Sequence, residues 1–170
     1  MSYGQAPFGL REVTVVAAGS TVAVPVAQNF TITERVKSGE LAGDDVTKAI
    51  VAFTDALTFS IQSGGISLEA YCEMTGRTLA TGGTSPNETK TMTATAAESF
   101  PYFKIYGRSL GDAGDNIHVV VFKAKLTGIE GRFADGQFMV SSASGVAIDD
   151  GTNGVFDIVQ NETAAALPTT

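Results

Sequence analysis

Between Val51 and Ile61 the chain alternates. Val51, Phe53, Leu57, Phe59 and Ile61 fall on one face, and Ala52, Thr54, Ala56, Thr58 and Ser60 on the other. A two-residue period predicts a long strand with one greasy face and one small, neutral face. Asp55 interrupts the greasy face. A carboxylate there implies a strand end, a subunit contact or a buried partner. Ser63-Gly64-Gly65 ends the strand, and the period then changes. Leu68, Tyr71, Cys72 and Thr75 lie at helical spacing, one stripe of a short helix flanking the sheet. Ser67 is placed to cap its start, Glu69 lies in its first turn, and Gly76 can supply the left-handed residue that ends it.

The rest of the chain reads as strands and turns. Residues 1–10 are Gly/Pro-rich and aperiodic, which predicts an N-terminal arm. Arg11–Ala17 and Thr21–Val26 form a first hairpin about Gly19-Ser20, and Phe30, Ile32 and Val36 mark one face of the next strand. Lys37–Lys48, KSGELAGDDVTK, reads as a long loop, and loops of that length inside a compact domain usually carry function or contacts. Further strands are expected at Thr91–Ala97, Phe100–Ser109, Ile117–Leu126, Gln137–Ile148 and Val155–Val159, separated by Gly/Asn/Asp turns. In the Ile117–Leu126 strand, Lys123 and Lys125 share a face with Ile117, Val119 and Val121. Residues 160–170 read as a polar, Ala-rich tail. The expected fold is mainly β: two packed antiparallel sheets, a β-sandwich or partial barrel, with one short flanking α-helix. No repeat or boundary divides residues 1–170, so a single domain is expected.

Chemistry is hard to find. The one histidine, His118, lies inside a strand with no activating neighbour, and the one cysteine, Cys72, reads as a small apolar residue on the buried side of the helix. One His and one Cys give no zinc set, Asp44-Asp45 lacks a third ligand at regular spacing, and no phosphate loop or dinucleotide fingerprint occurs. Asp112/Asp115 and Asp149/Asp150 fall in turns, where aspartate caps its own backbone. No catalytic residue, metal or cofactor is therefore expected. The net charge is −7 with no Lys/Arg cluster, which argues against gripping nucleic acid or an anionic membrane. The longest apolar run, Ala49–Phe53, is too short to span a bilayer, and no secretory signal is evident. Arms at both ends, a long loop and a strand with a small neutral face instead suit self-assembly, in which one copy docks segments onto the next.

The order of parts then carries a resemblance. An arm, strands, the SGELAGDD loop, and a long strand leading into GGISLEAYCEMTG come first. They are followed by YFKIYGRSLGDAGDNIHVVVFKAKLTGIEGRFADGQFMVSSASGVAID. This resembles the tail tube (major tail) proteins of long-tailed bacteriophages over roughly Val13 to Val159. The resemblance implies two packed sheets with a helix outside, hexameric rings, and stacked rings forming a hollow tube through which DNA leaves the capsid. It implies no catalytic residues and no cofactor. It places Lys37, Glu40, Leu41, Asp44, Asp45 and Lys48 on a loop reaching a neighbouring subunit. It places Thr54, Ala56, Thr58 and Ser60 on the channel wall, and Leu68, Tyr71, Cys72 and Thr75 on the outer helix. The implied partners are further copies of the chain and the other tail proteins: tape measure, tail terminator and distal tail protein. DNA would transit without specific binding. The implied location is the virion, after assembly in the bacterial cytoplasm. A low-friction channel also requires Lys123 and Lys125 to be paired or turned away from it. The alternatives are another phage structural β protein (capsid decoration, head–tail joining or tail terminator) or a β-sandwich binding module. The absence of tryptophan disfavours the latter.

Overall fold

The structure, a computed structural model, describes residues 7–43, 46–65, 67–111 and 114–168. The expected first hairpin is present: β1 (Pro7–Ala17) turns through Ala18 and Gly19, both at positive φ, into β2 (Ser20–Ala23). β1 begins at Pro7, so part of the expected arm at 1–10 is strand; residues 1–6 lie outside the described residues. β3 (Ala27–Gly43) and β4 (Val46–Gly64) follow, then α1 (Leu68–Thr75). Between α1 and the expected strand at 91–97 the chain forms a small ribbon, β5 (Leu79–Gly82) with β6 (Thr89–Met92), and that strand is confined to β6. β7 (Phe103–Gly111), β8 (Asn116–Arg132), β9 (Val140–Ala147) and β10 (Phe156–Asn161) complete the chain.

The fold is mainly β with one short helix. The large sheet is antiparallel, in the order β2-β1-β7-β8-β9-β4-β3. β8 pairs with β7 along one edge, and along the other its first half pairs with β10 and its second half with β9. The two expected layers belong to this one sheet, which curls back on itself. Strands far apart in its order touch: Phe59 of β4 meets Phe103 of β7 edge to face, with centroids 6.0 Å apart at 88°. Phe30 of β3 lies over Gly107 of β7, where a Cβ would stand 2.7 Å from the ring. The core between them holds Val13, Val15, Leu57, Phe59, Ile105 and Val121.

In β8 the strand alternation is broken. Phe103 pairs with Ala124 but Ile105 with Val121, so β8 carries one residue more than β7 across this step. Side-chain direction flips there. Val121, Ala124 and Leu126 consequently enter the core together, while Lys123 and Lys125 do not share a face with Val121 as the plain period predicts.

α1 closes one side of the core. Ser67 caps it, its hydroxyl accepting from the Ala70 amide at 3.3 Å, and Gly76 ends it at φ 73°. The buried face is Ala70, Tyr71, Cys72, Met74 and Thr75, with Leu68 only half-buried, so the expected stripe is rotated toward Ala70 and Met74. Burial pushes the Cys72 thiol pKa up, and the nearby Glu69 and Glu73 charges add to the shift.

Candidate assembly interface

The stretch expected as a loop, 37–48, is strand. β3 runs on to Gly43 and β4 starts at Val46, paired through Val36↔Thr54, Lys37↔Phe53, Ser38↔Ala52, Gly39↔Val51, Glu40↔Ile50 and Leu41↔Ala49. Asp44 and Asp45 lie outside the described residues. The glycines and charges that suggest a loop are outvoted by cross-strand pairing with a β-branched and aromatic partner segment, 49–53. The result is a two-stranded arm. From Val36 to Gly43 it reaches roughly 25 Å at ~3.3 Å per residue.

Asp55 sits at the base of this arm and explains its geometry. Arg35 pairs with Ala56 and Val36 with Thr54, so Asp55 is the extra residue of a bulge in β4. Beyond it the alternation changes phase. Val51 and Phe53 therefore point away from the core that Leu57, Phe59 and Ile61 enter, and are 62% and 57% exposed. The four candidate channel-wall residues do not form one face. Thr54 lies on the opposite side from Thr58 and Ser60, its hydroxyl bonded to Glu34, while Ala56 keeps their side by register but is wholly buried.

One side of the arm carries Phe53, Val51, Leu41 and Ala49, in register with Lys37 and Gly39; the other carries Val36, Ile50 and Glu40. Val36, Leu41, Val46, Ile50, Val51 and Phe53 all stand in solvent, as do Lys37, Glu40 and Lys48. Lys48 is the extra residue of a second irregularity, between Leu41↔Ala49 and Ala42↔Thr47. An isolated two-stranded ribbon is marginal in water, and clustered exposed apolar side chains mark a contact surface. The free edge of β3 adds a row of backbone groups with no strand partner among the described residues.

The carboxylate of Asp55 staples the arm to the sheet. It accepts from Arg35 Nε at 3.0 Å and Arg35 Nη2 at 2.7 Å, and its other oxygen meets Lys37 Nζ at 2.7 Å. These contacts hold its pKa below the ordinary value. The Lys37 hydrogen bond contributes most; desolvation opposes it and Arg35 adds to it. A depressed carboxylate pKa stabilises the arm above the unfolded value near 3.8, and that stabilisation is lost as pH falls through the lower folded value. The protection factors of the amides of residues 46–54, which refer the exchange rate to the intrinsic rate at each pH, should fall below about pH 4 in the parent chain. In Asp55→Asn they should already be several-fold lower at pH 6 and change little on acidification. Identical profiles for the two chains would refute the staple.

A second surface lies on the non-core face of β3, β4 and β9. The register sets Thr31, Ser60 and Ser144 in one row, Thr33, Thr58 and Val146 in the next, and Asn29, Gln62 and Ser142 in a third. Thr58 and Ser60 therefore do belong to a small, polar face with Thr31, Thr33, Ser142 and Ser144, bordered by Arg35 beside Ala56 and Glu130 beside Ser142. The period-two run SSASGVA was the signal for the β9 members. Lys125 pairs with Val146 at the margin of this face. Its ammonium and that of Lys123 each lie 5.0 Å from the Tyr102 ring centroid, a shared cation–π contact.

The acidic turns behave in two ways. Asp150 accepts from the Thr152 and Asn153 amides at 2.8 and 2.6 Å and from the Asn153 side chain at 2.7 Å, which lowers its pKa to about 2. Asp149 caps Gly151 at 2.6 Å. Asp112 lies outside the described residues. Asp115 is buried, with neither carboxylate oxygen bonded among the described residues, and nothing in the structure explains it. His118 is also buried, its Nε2 3.3 Å from the Ala165 carbonyl, as suits a satisfied structural histidine. No cluster of three His, Cys, Asp or Glu suited to a metal occurs among the described residues. No family model matches the chain, and no curated protein does.

Proposed function

We propose that this chain is a structural subunit that assembles with copies of itself into rings, and that the rings stack into the hollow tail tube of a long-tailed bacteriophage. The observation that carries the self-assembly is the arm: a stapled ribbon that holds Phe53, Val51 and Leu41 in solvent, where one subunit alone cannot bury them. In this reading the arm docks on a different part of the neighbouring copy. Such a head-to-tail contact closes into rings or propagates as a filament. The specific assignment to a tail tube rests on the resemblance of the sequence. The Thr/Ser face of β3, β4 and β9 suits a channel wall, because it offers phosphates few cations to hold. In this role DNA passes without being bound, and the tail's terminator, tape-measure and distal proteins are the outer partners.

Negative-stain electron microscopy of the purified chain tests the proposal. Hollow tubes or stacked rings of uniform diameter are expected on concentration. Discrete monomers at every concentration reached would overturn it.

A further inference from the structure

Residues 162–168, beyond β10, have no regular structure, yet part of this segment is held firmly. Residues 162–164 are exposed and Leu167 is buried, at 8% exposure. The Ala165 carbonyl accepts from Asn116 Nδ2 at 2.7 Å and Arg108 Nη1 at 3.2 Å, and faces His118 Nε2 at 3.3 Å. Two residues on, Leu167 packs against Tyr106 and Val120. The donors are fixed by the body of the sheet. Arg108 is paired with Glu12 at 2.9 Å, Asn116 accepts from Asn161 at 2.9 Å, and Asn116 and His118 are buried in β8. The seat also has polar capacity to spare. A carbonyl has two lone pairs for three converging donors, and Arg108 Nε is buried without a partner among the described residues.

We propose that this seat is a binding site for an extended peptide segment with an accepting carbonyl followed two residues later by leucine. Its resident occupant, residues 162–168, is an exchangeable strap that a second copy supplies in trans on assembly. The choice of a second copy rests on the function proposed above; the seat itself does not. Residues 162–168 make no strand ladder, and the Ala165 carbonyl and the Leu167 side chain are held as described. It leaves β10 at Asn161, and the exposed 162–164 can swing while β10 stays paired with β8. Cis and trans occupancy use the same groups, so effective concentration alone decides between them. A lone chain favours its own strap. In an assembly, neighbouring straps reach comparable local concentration, and exchange ties copies together without any new contact.

Two measurements test this. In the full chain, Leu167→Asp removes the strap's anchor and should leave the seat open. Calorimetry should then show saturable binding of a synthetic peptide with the sequence Glu162–Thr170, with a dissociation constant of about 10–1000 μM. The same peptide with Leu167→Asp should bind at least tenfold more weakly. If the aspartate variant does not melt cooperatively, Leu167→Ala serves in its place. No binding to the folded variant, or equal binding of both peptides, overturns the seat.

For exchange, chains with a photoreactive phenylalanine analogue at position 166 are prepared in light and heavy nitrogen isotopes, mixed and assembled. Irradiation should join strap peptides to β7 or β8 peptides of the other isotope. Cross-links confined to one isotope in assembled material would make the strap a purely internal latch and overturn exchange. If the parent chain forms no assembly, the proposed function and the exchange both fall, while the peptide result still decides the seat.

Discussion

A chain carrying Phe53→Asp is expected to remain monomeric at concentrations where the parent assembles, with its melting temperature unchanged within about 2 °C. Phe53 lies beyond the Asp55 bulge, more than half exposed, and touches none of the core that Leu57 and Phe59 fill. Replacing it therefore costs the free subunit little. In the proposed assembly it would be buried, and losing a phenylalanine there would remove about 2–3 kcal/mol per contact before the cost of desolvating a new carboxylate. At 1.4 kcal/mol per tenfold, each contact weakens by about 100-fold or more. A repeating assembly makes the same contact at every subunit, so it should fail altogether. Sedimentation of the variant and parent across one concentration series reads the difference. Ile50→Asp, on the other side of the arm, reports which face is covered. Assembly of Phe53→Asp at the parent's threshold would show that this face stays in solvent and would remove the main support for the proposed function.

The same arm shows what a sequence can and cannot reveal. Helix α1 was legible to the residue because its limits are local: a serine hydroxyl, an acidic first turn and a left-handed glycine act within a few bonds of one another. The arm was not. Its first strand, 37–43, has loop composition and is extended only because 46–53 pairs with it, and that pairing is a non-local fact. Asp55 was legible as an interruption, but an interruption does not announce a bulge, and without the bulge every residue before it is assigned to the wrong face. Thr58 and Ser60 lie on the small polar face that the period assigns them; Thr54 leaves it because of the bulge, whereas Ala56 keeps their side by register and is wholly buried. β8 repeats the lesson, since one extra residue there moves Lys123 and Lys125 off the face assigned to them. The tail's role was hidden differently: Leu167 follows three alanines with no period to mark it, and only the folded chain sets it against Tyr106.

Gly145→Val should destabilise the chain more than any surface change, by about 4 kcal/mol or more. Gly145 lies in β9 between Phe59 of β4 and Leu126 of β8. A Cβ there would fall 2.2 Å from the Lys125 carbonyl oxygen and 2.6 Å from Phe59 Cζ. The carbonyl is backbone, in the strand paired directly with β9, and cannot retreat without breaking that ladder. The ring cannot retreat either, because Phe59 is buried and packed edge to face on Phe103. The missing side chain thus leaves room for the Phe59 ring over the strand beside it. Valine forces either β9 away from β8 or Phe59 out of the core, and removal of a buried phenylalanine alone costs about 3–5 kcal/mol. For a chain of this size the melting temperature should fall by roughly 10 °C or more. Gly39→Ala is the matched control. It is also a strand glycine, but a Cβ there meets nothing within 4 Å, and its melting temperature should stay level or rise slightly. Calorimetric melting of the two variants beside the parent decides the matter. A Gly145→Val chain melting within 2 °C of the parent would mean that Phe59 does not occupy the seat over β9.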